Sequence, residues 1–389
     1  MNSVKSPSSH TQVHSNESNN PESVFYPNHG GDWKSALALS KLPEEKLIDF
    51  SVSLNPLGPP DVVFKLSEKI MAGLKHYPDP SSDNLKKCFS EFRNVPKESI
   101  VVGNGSNELI HLIPRLIPQG KKCVVVEPAF SEYDSALNAS SILHTKYFLK
   151  PENDFREDIE SFLSYLQSIE NLGSIILGNP NSPTGHTWEV ESLKKLKNFC
   201  ERRNILLIID EAFIDFCDND ISLANEAAQS KNLMVVHSLT KSFCIPGARL
   251  GFCILHPEIA NRFESFIAPW NINSIAQTIG SEIILDTKYL ERTKLFISKE
   301  KEVFFEKLKK IKAIKVFPSE TNFFLFQLID PAPNISERFF KFLLTQGLII
   351  RNCGNFFGLN NSFFRIGLKT ESENKTLVQA IESFFTAEK

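Results

Sequence analysis

From about residue 100 the chain alternates short, almost unbroken apolar runs with longer stretches whose apolar residues recur at helical spacing. The runs at 99–102, 122–126, 174–177, 205–209, 233–237 and 250–255 read as strands of four to six residues. Gly103-Asn-Gly105-Ser-Asn-Glu opens a helix through residue 116, and a charged helix spans about 190–203. Short strands joined by helical crossovers predict an α/β fold, a mostly parallel, doubly wound sheet with helices on both faces. Continuous apolar strands fit a sheet covered on both sides.

A long charged helix over about 286–312 leads out of this region. After it come a strand or hairpin (313–329), a helix (336–346), strands (348–351 and 363–367) and a final helix (373–386). This is an α+β pattern. The expected organisation is a large domain over 76–285 and a smaller one over 286–389, joined by an N-terminal arm over 25–75. Residues 1–24, rich in Ser and Asn with no hydrophobic stretch, are expected to be a disordered extension and not a secretory signal.

With 389 residues and a net charge of −3, nothing favours nucleic acid or an anionic membrane as partner. The seven cysteines are scattered, with no C-x-x-C pair and no Cys/His cluster at metal-ligand spacing. They read as reduced thiols, no apolar run reaches the length of a membrane span, and a cytoplasmic location is expected.

Candidate chemistry sits at the carboxyl ends of the expected strands, where open α/β sheets bind ligands. Ser238-Leu-Thr-Lys241, Asp210 and Arg249 supply the parts a pyridoxal phosphate site needs. Lys241 offers an amine for the aldehyde. An ionised Asp210 would keep the pyridine nitrogen protonated, although Glu211 beside it competes for the role. Gly105-Ser106-Asn107 at a helix start, with Ser238 and Arg249, suits a phosphate. A dinucleotide site ranks lower, because Glu108 stands where a third glycine would be. Phe130 is either a ring that stacks on the cofactor or ordinary core. Asn181 or Ser182, in a turn stiffened by prolines, would reach the cofactor's 3′-oxygen. Arg351 and Arg365 would anchor a carboxylate or phosphate.

Asn179-Pro-Asn-Ser-Pro-Thr-Gly185, Asp210-Glu-Ala-Phe213 and Ser238-Leu-Thr-Lys241 through Gly247-x-Arg249-Leu-Gly251 resemble fold-type I pyridoxal phosphate enzymes of the class I/II aminotransferase superfamily. The likeness runs from about residue 25 to the end. It implies pyridoxal 5′-phosphate as cofactor and a homodimer in which Tyr77, within His76-Tyr77-Pro78-Asp79-Pro80, reaches the neighbouring subunit's cofactor phosphate. Two branches compete. His29-Gly30-Gly31-Asp32, Ile48-Asp-Phe-Ser51 with Leu54-Asn55-Pro-Leu-Gly58, Phe213, and Arg351-Asn-Cys353 are similar to threonine-phosphate decarboxylases. Histidinol-phosphate aminotransferases are the alternative; they usually carry a tyrosine where Phe213 stands. The decarboxylase resemblance implies a small phosphorylated amino acid, O-phospho-L-threonine, as substrate, with His29, Gly30, Gly31 and Asn55 joining the two arginines around it. It also implies a place in cobalamin biosynthesis. Many members have a second asparagine where this chain has Ser182.

Overall fold

The computed structural model describes residues 30–218, 221–329 and 332–387. The expected extension over 1–24 and the candidate His29 lie outside them.

Strand β1 (Ile48–Asp49) belongs to the N-terminal arm. Strands β2 (Ile100–Asn104), β3 (Lys122–Glu127), β4 (His144–Phe148), β5 (Leu172–Gly178), β6 (Leu206–Asp210), β7 (Leu233–Ser238) and β8 (Leu250–Ile254) form one sheet in the order β2-β8-β7-β6-β5-β3-β4. β8 runs antiparallel to both neighbours, and the other pairs are parallel. The expected parallel sheet with helical crossovers is therefore observed. Alternate residues of one strand enter different cores: Leu207 and Ile209 pack on one face of the sheet, Ile208 on the other. That is why the strands read as unbroken apolar runs. Each such side chain contributes about 1.5–3 kcal/mol when fully buried.

β4 was not anticipated. It lies at the sheet edge, and its residues are half-buried or exposed, so it carries no continuous apolar signal.

The helix Thr287–Lys309 leads to the C-terminal region; Asp286 caps it by accepting the Tyr289 N–H at 3.1 Å. There β9 (Ile314–Val316), β10 (Phe323–Leu328), β12 (Arg351–Asn352) and β13 (Phe363–Gly367) form an antiparallel sheet, in the order β12-β13-β10-β9. β11 (Leu348–Ile349) pairs with β1 in parallel. The single strand expected over 348–351 is thus two, broken at Ile350 and shared between two sheets. Behind them lies a separate core dominated by phenylalanines, among them Phe304, Phe324, Phe339 and Phe364. No described helix is long and apolar enough to cross a membrane.

Candidate active site

A cavity of about 490 Å³ opens at the carboxyl ends of the parallel strands. The sheet side contributes Ser106, Asn107, Phe130, Ser182, Asp210, Ser238, Lys241 and Arg249. Arg351, Phe356 and Arg365 close it from the C-terminal sheet, and Gly30 with Ser51–Ser53 from the arm.

Lys241 sits on a one-turn helix, Leu239–Ser242, directly after β7, with Ser238 in extended conformation at its start. Burial, then the positive charges of Arg365 and Arg249, bring its amine down to about 8; Asp210 opposes them. The Phe213 ring lies 6.0 Å from its Nζ.

Asp210 ends β6 and is 7% exposed. Its Oδ2 accepts the Tyr133 hydroxyl at 2.7 Å, and its Oδ1 accepts the Ala212 N–H at 2.9 Å. Burial pushes its pKa up, against those two hydrogen bonds and Lys241. Glu211 does not line the cavity. It is wholly buried, accepting Ser222 Oγ–H at 2.6 Å and Leu223 N–H at 2.8 Å, and burial pushes it up to about 7. The choice between the two acids is decided by direction: only Asp210 looks into the cavity.

The helix Ser106–Leu112 points its first turn at the same space. Gly105 has φ +76°, and a Cβ there would collide with the Arg249 guanidinium. A Cβ on Gly251 would strike the backbone of Gly105 and Ser106. Two glycines thus let Arg249 and the helix start converge. Ser238 and Thr240 share a hydroxyl hydrogen bond of 2.8 Å beside them.

Arg351 and Arg365 are paired across β12 and β13, so they leave the sheet on one face. Arg365 Nη1 donates to Ser182 Oγ at 2.7 Å and Nη2 to the Ser51 carbonyl at 3.1 Å. Its buried Nε has no hydrogen-bond partner among the described residues. Arg351 donates to the Asn352 carbonyl at 2.6 Å and to Asn355 Oδ1 at 2.7 Å, with its guanidinium 5.3 Å from the Phe356 ring centre.

Five described candidates do not line the cavity; one is Gly105, which sits just before the lining Ser106. Asn181 is turned away, its amide donating to the Pro128 carbonyl at 2.9 Å and accepting from Thr184. Ser182 is the member of that turn that faces inward. Asn55 is buried behind Lys241, where its side chain donates to the Ser242 carbonyl and to Thr293 Oγ1. Gly31 donates to Ser51 Oγ at 3.0 Å and does not line this cavity. Tyr77 is 83% exposed, its ring 5.1 Å from that of Trp270.

Sequence reasoning did not count Tyr133, Phe213, Phe356 and Thr240 among the site residues, yet all four line the cavity. The position of Tyr133, three residues beyond Phe130 at a helix start, was the signal available.

Residues 45–381 match the family described as aminotransferase class I and II. The chain belongs to this family. Its cofactor is pyridoxal 5′-phosphate. A putative threonine-phosphate decarboxylase from Caldanaerobacter subterraneus subsp. tengcongensis is 35% identical over 338 residues, 86% of this chain and 89% of that protein. The adenosylcobalamin biosynthesis bifunctional protein CobDQ of Leptospira interrogans is 33% identical over 361 residues; the match takes 92% of this chain and 41% of that protein's length. The crystal structure of histidinol-phosphate aminotransferase from Clostridium acetobutylicum matches with a TM-score of 0.80 and 31% identity, over 87% of this chain and 98% of that one.

Proposed function

We propose that this class I/II aminotransferase family member is a carboxy-lyase that converts O-phospho-L-threonine to 1-aminopropan-2-ol O-phosphate and CO₂, in cobalamin biosynthesis. One observation carries the reading. An amine of lowered pKa and a buried carboxylate face a single cavity, which has an anion cradle on the sheet side and two arginines on the other.

These residues fit pyridoxal 5′-phosphate. Lys241 would bind its aldehyde; Asp210 would face its ring nitrogen, whose proton adds an opposite charge that keeps the buried carboxylate ionised. Ser106, Asn107, Ser238 and Arg249, with the tight turn at Gly105, would hold its phosphate. Phe130 would flank the ring and Ser182 its 3′-oxygen. When bound, the cofactor withdraws electrons from the substrate's Cα.

The protein's own part is to choose which bond at Cα breaks. Arg365 and Arg351, fixed on one face of a rigid sheet, bind the substrate's phosphate and so orient Cα. In decarboxylation the Cα–carboxylate bond breaks, its electron pair stays on the Cα side, and CO₂ leaves. Cα then takes a proton from the Lys241 ammonium. Val52, Phe213 and Phe356 give the cavity an apolar flank, where a carboxylate loses hydration that CO₂ does not need. Phe213, where the aminotransferase branch usually has a phenol, and the relative named for this chemistry support the lyase, and the relative named for adenosylcobalamin biosynthesis supports the pathway.

Amino-group transfer from histidinol phosphate is the second reading, favoured by the TM-score of 0.80 against an enzyme of that name. Mass-spectrometric product analysis with phosphothreonine, phosphoserine and histidinol phosphate, each with and without a keto acid, separates the two. The lyase predicts an aminoalkyl phosphate that needs no keto acid. Product formed only with a keto acid would replace it.

A homodimer in the cytoplasm completes the proposal. Phe64, Met71, Leu74, Tyr77, Trp270 and Ile275 are exposed on the arm helices and the segment packed beside them, an apolar face suited to a second copy.

A further inference from the structure

We infer that Asn55 is the positioning residue for Lys241: it fastens the end of the one-turn helix that carries the amine, and it does not bind substrate. The inference rests on the reading of Lys241 as the residue that takes the cofactor.

A single helical turn depends on donors beyond its own residues; here the Leu239, Thr240 and Lys241 carbonyls accept the Phe243, Ile245 and Cys244 N–H groups at 3.1, 3.1 and 3.3 Å. The helix Leu239–Ser242 is tied at its start by β7, whose Ser238 is paired with Gly251 in the sheet. At its other end, two donors come from far earlier in the chain. The Asn55 N–H donates to the Lys241 carbonyl at 3.0 Å. Its side-chain Nδ2 donates to the Ser242 carbonyl, 187 residues on, at 2.7 Å. The same Nδ2 donates to Thr293 Oγ1 at 2.7 Å, and Oδ1 accepts the Leu57 N–H at 3.0 Å.

Both amide protons are therefore spent on the protein, and none is left for a ligand. Asn55 is 2% exposed, Ser242 1% and Thr293 wholly buried. Thr293 lies in the helix Thr287–Lys309, and the Tyr289 hydroxyl of that helix donates to the Gly58 carbonyl that ends the same turn. One side chain thus joins the arm, the lysine's helix and the long helix. The reach of the amine follows from where the backbone of residue 241 is held, and in such geometry a shift of ~1 Å costs up to ~100-fold in rate.

The test is Asn55→Ala in the cofactor-loaded enzyme. The expected result is a kcat lowered about 10- to 100-fold, with KM for O-phospho-L-threonine little changed. The pH midpoint of the visible absorption from Lys241-bound cofactor should move as well. A merely structural residue would lower the melting temperature and leave that midpoint alone. Asn55→Asp keeps the shape, the backbone N–H to Lys241 and the Leu57 contact but lacks the side-chain donors to Ser242 and Thr293; it should show the same losses, and it serves if the alanine variant does not fold. Wild-type kcat and midpoint in the aspartate variant would overturn the inference, and so would a raised KM with unchanged kcat. Failure of the underlying reading shows separately: wild type would lack the absorption, or Lys241→Ala would keep it, and this inference would fall with it.

Discussion

Lys241 sets the pH behaviour of the site. Its amine titrates near 8, well below the ordinary lysine value of 10.5, because burial and two arginines disfavour the charged form. Capture of pyridoxal phosphate by the cofactor-free protein needs the neutral amine. The capture rate should therefore climb with pH and level off above about 8, falling about tenfold per unit well below it. A rate still climbing steeply near the ordinary lysine range would contradict this. The same shift fixes the sign for stability. Between about 8 and 10.5 the unfolded chain binds a proton that the folded one does not, so the cofactor-free protein gains stability as pH rises through that window. Arg365 acts differently, through substrate. Its two Nη groups are already aimed by Ser182 and Ser51, and charge-assisted hydrogen bonds are worth ~1.5–3 kcal/mol. Arg365→Ala should raise KM about 10- to 100-fold in steady-state assays, and an unchanged KM would remove it from the substrate site. Residue type and spacing made Lys241, Asp210 and the two arginines legible from sequence. They could not tell Asn181 from Ser182, because neighbours in a turn point opposite ways for reasons set by distant partners such as the Pro128 carbonyl. The side chain of Asn55 is likewise directed by a distant partner, the Ser242 carbonyl.

At the level of elements, apolar runs and helix periodicity located β2, β3 and β5–β8, and the final helix, to within a few residues. What escaped was decided by tertiary neighbours. β4 is strand only because β3 offers it an edge, and Ile350 ends one strand and precedes another because two sheets meet there. The crossing of β8 against the helix Ser106–Leu112 is the contact most exposed to test. Gly251 lies against the backbone of Gly105 and Ser106, which cannot swing aside as a flexible side chain could. Gly251→Ala should cost about 1–3 kcal/mol of stability by overpacking, and the shifted helix start should release cofactor phosphate more readily. Denaturant unfolding and dialysis against cofactor-free buffer measure the two effects. Loss of stability with full cofactor retention would separate the fold from the cradle.

For the whole molecule, each of the three cores contributes a residue to the cavity lining, Phe356, Phe213 and Tyr133, so the site depends on how they meet. The proposed dimer adds a further requirement. Tyr77 is 83% exposed and does not line its own chain's cavity; in the proposed dimer it would serve a second copy. Tyr77→Ala and Lys241→Ala should each be impaired alone, and activity should partly return when they are unfolded and refolded together, since one site of the hybrid then has both residues. No recovery in a verified hybrid would confine Tyr77 to its own subunit. The central claim concerns bond choice at Cα, and carboxyl-labelled O-phospho-L-threonine reads it directly. With cofactor-loaded enzyme and no keto acid, labelled CO₂ should be released over many turnovers, matched mole for mole by 1-aminopropan-2-ol O-phosphate. Retention of the label, with the amino group lost only when a keto acid is supplied, would contradict the account.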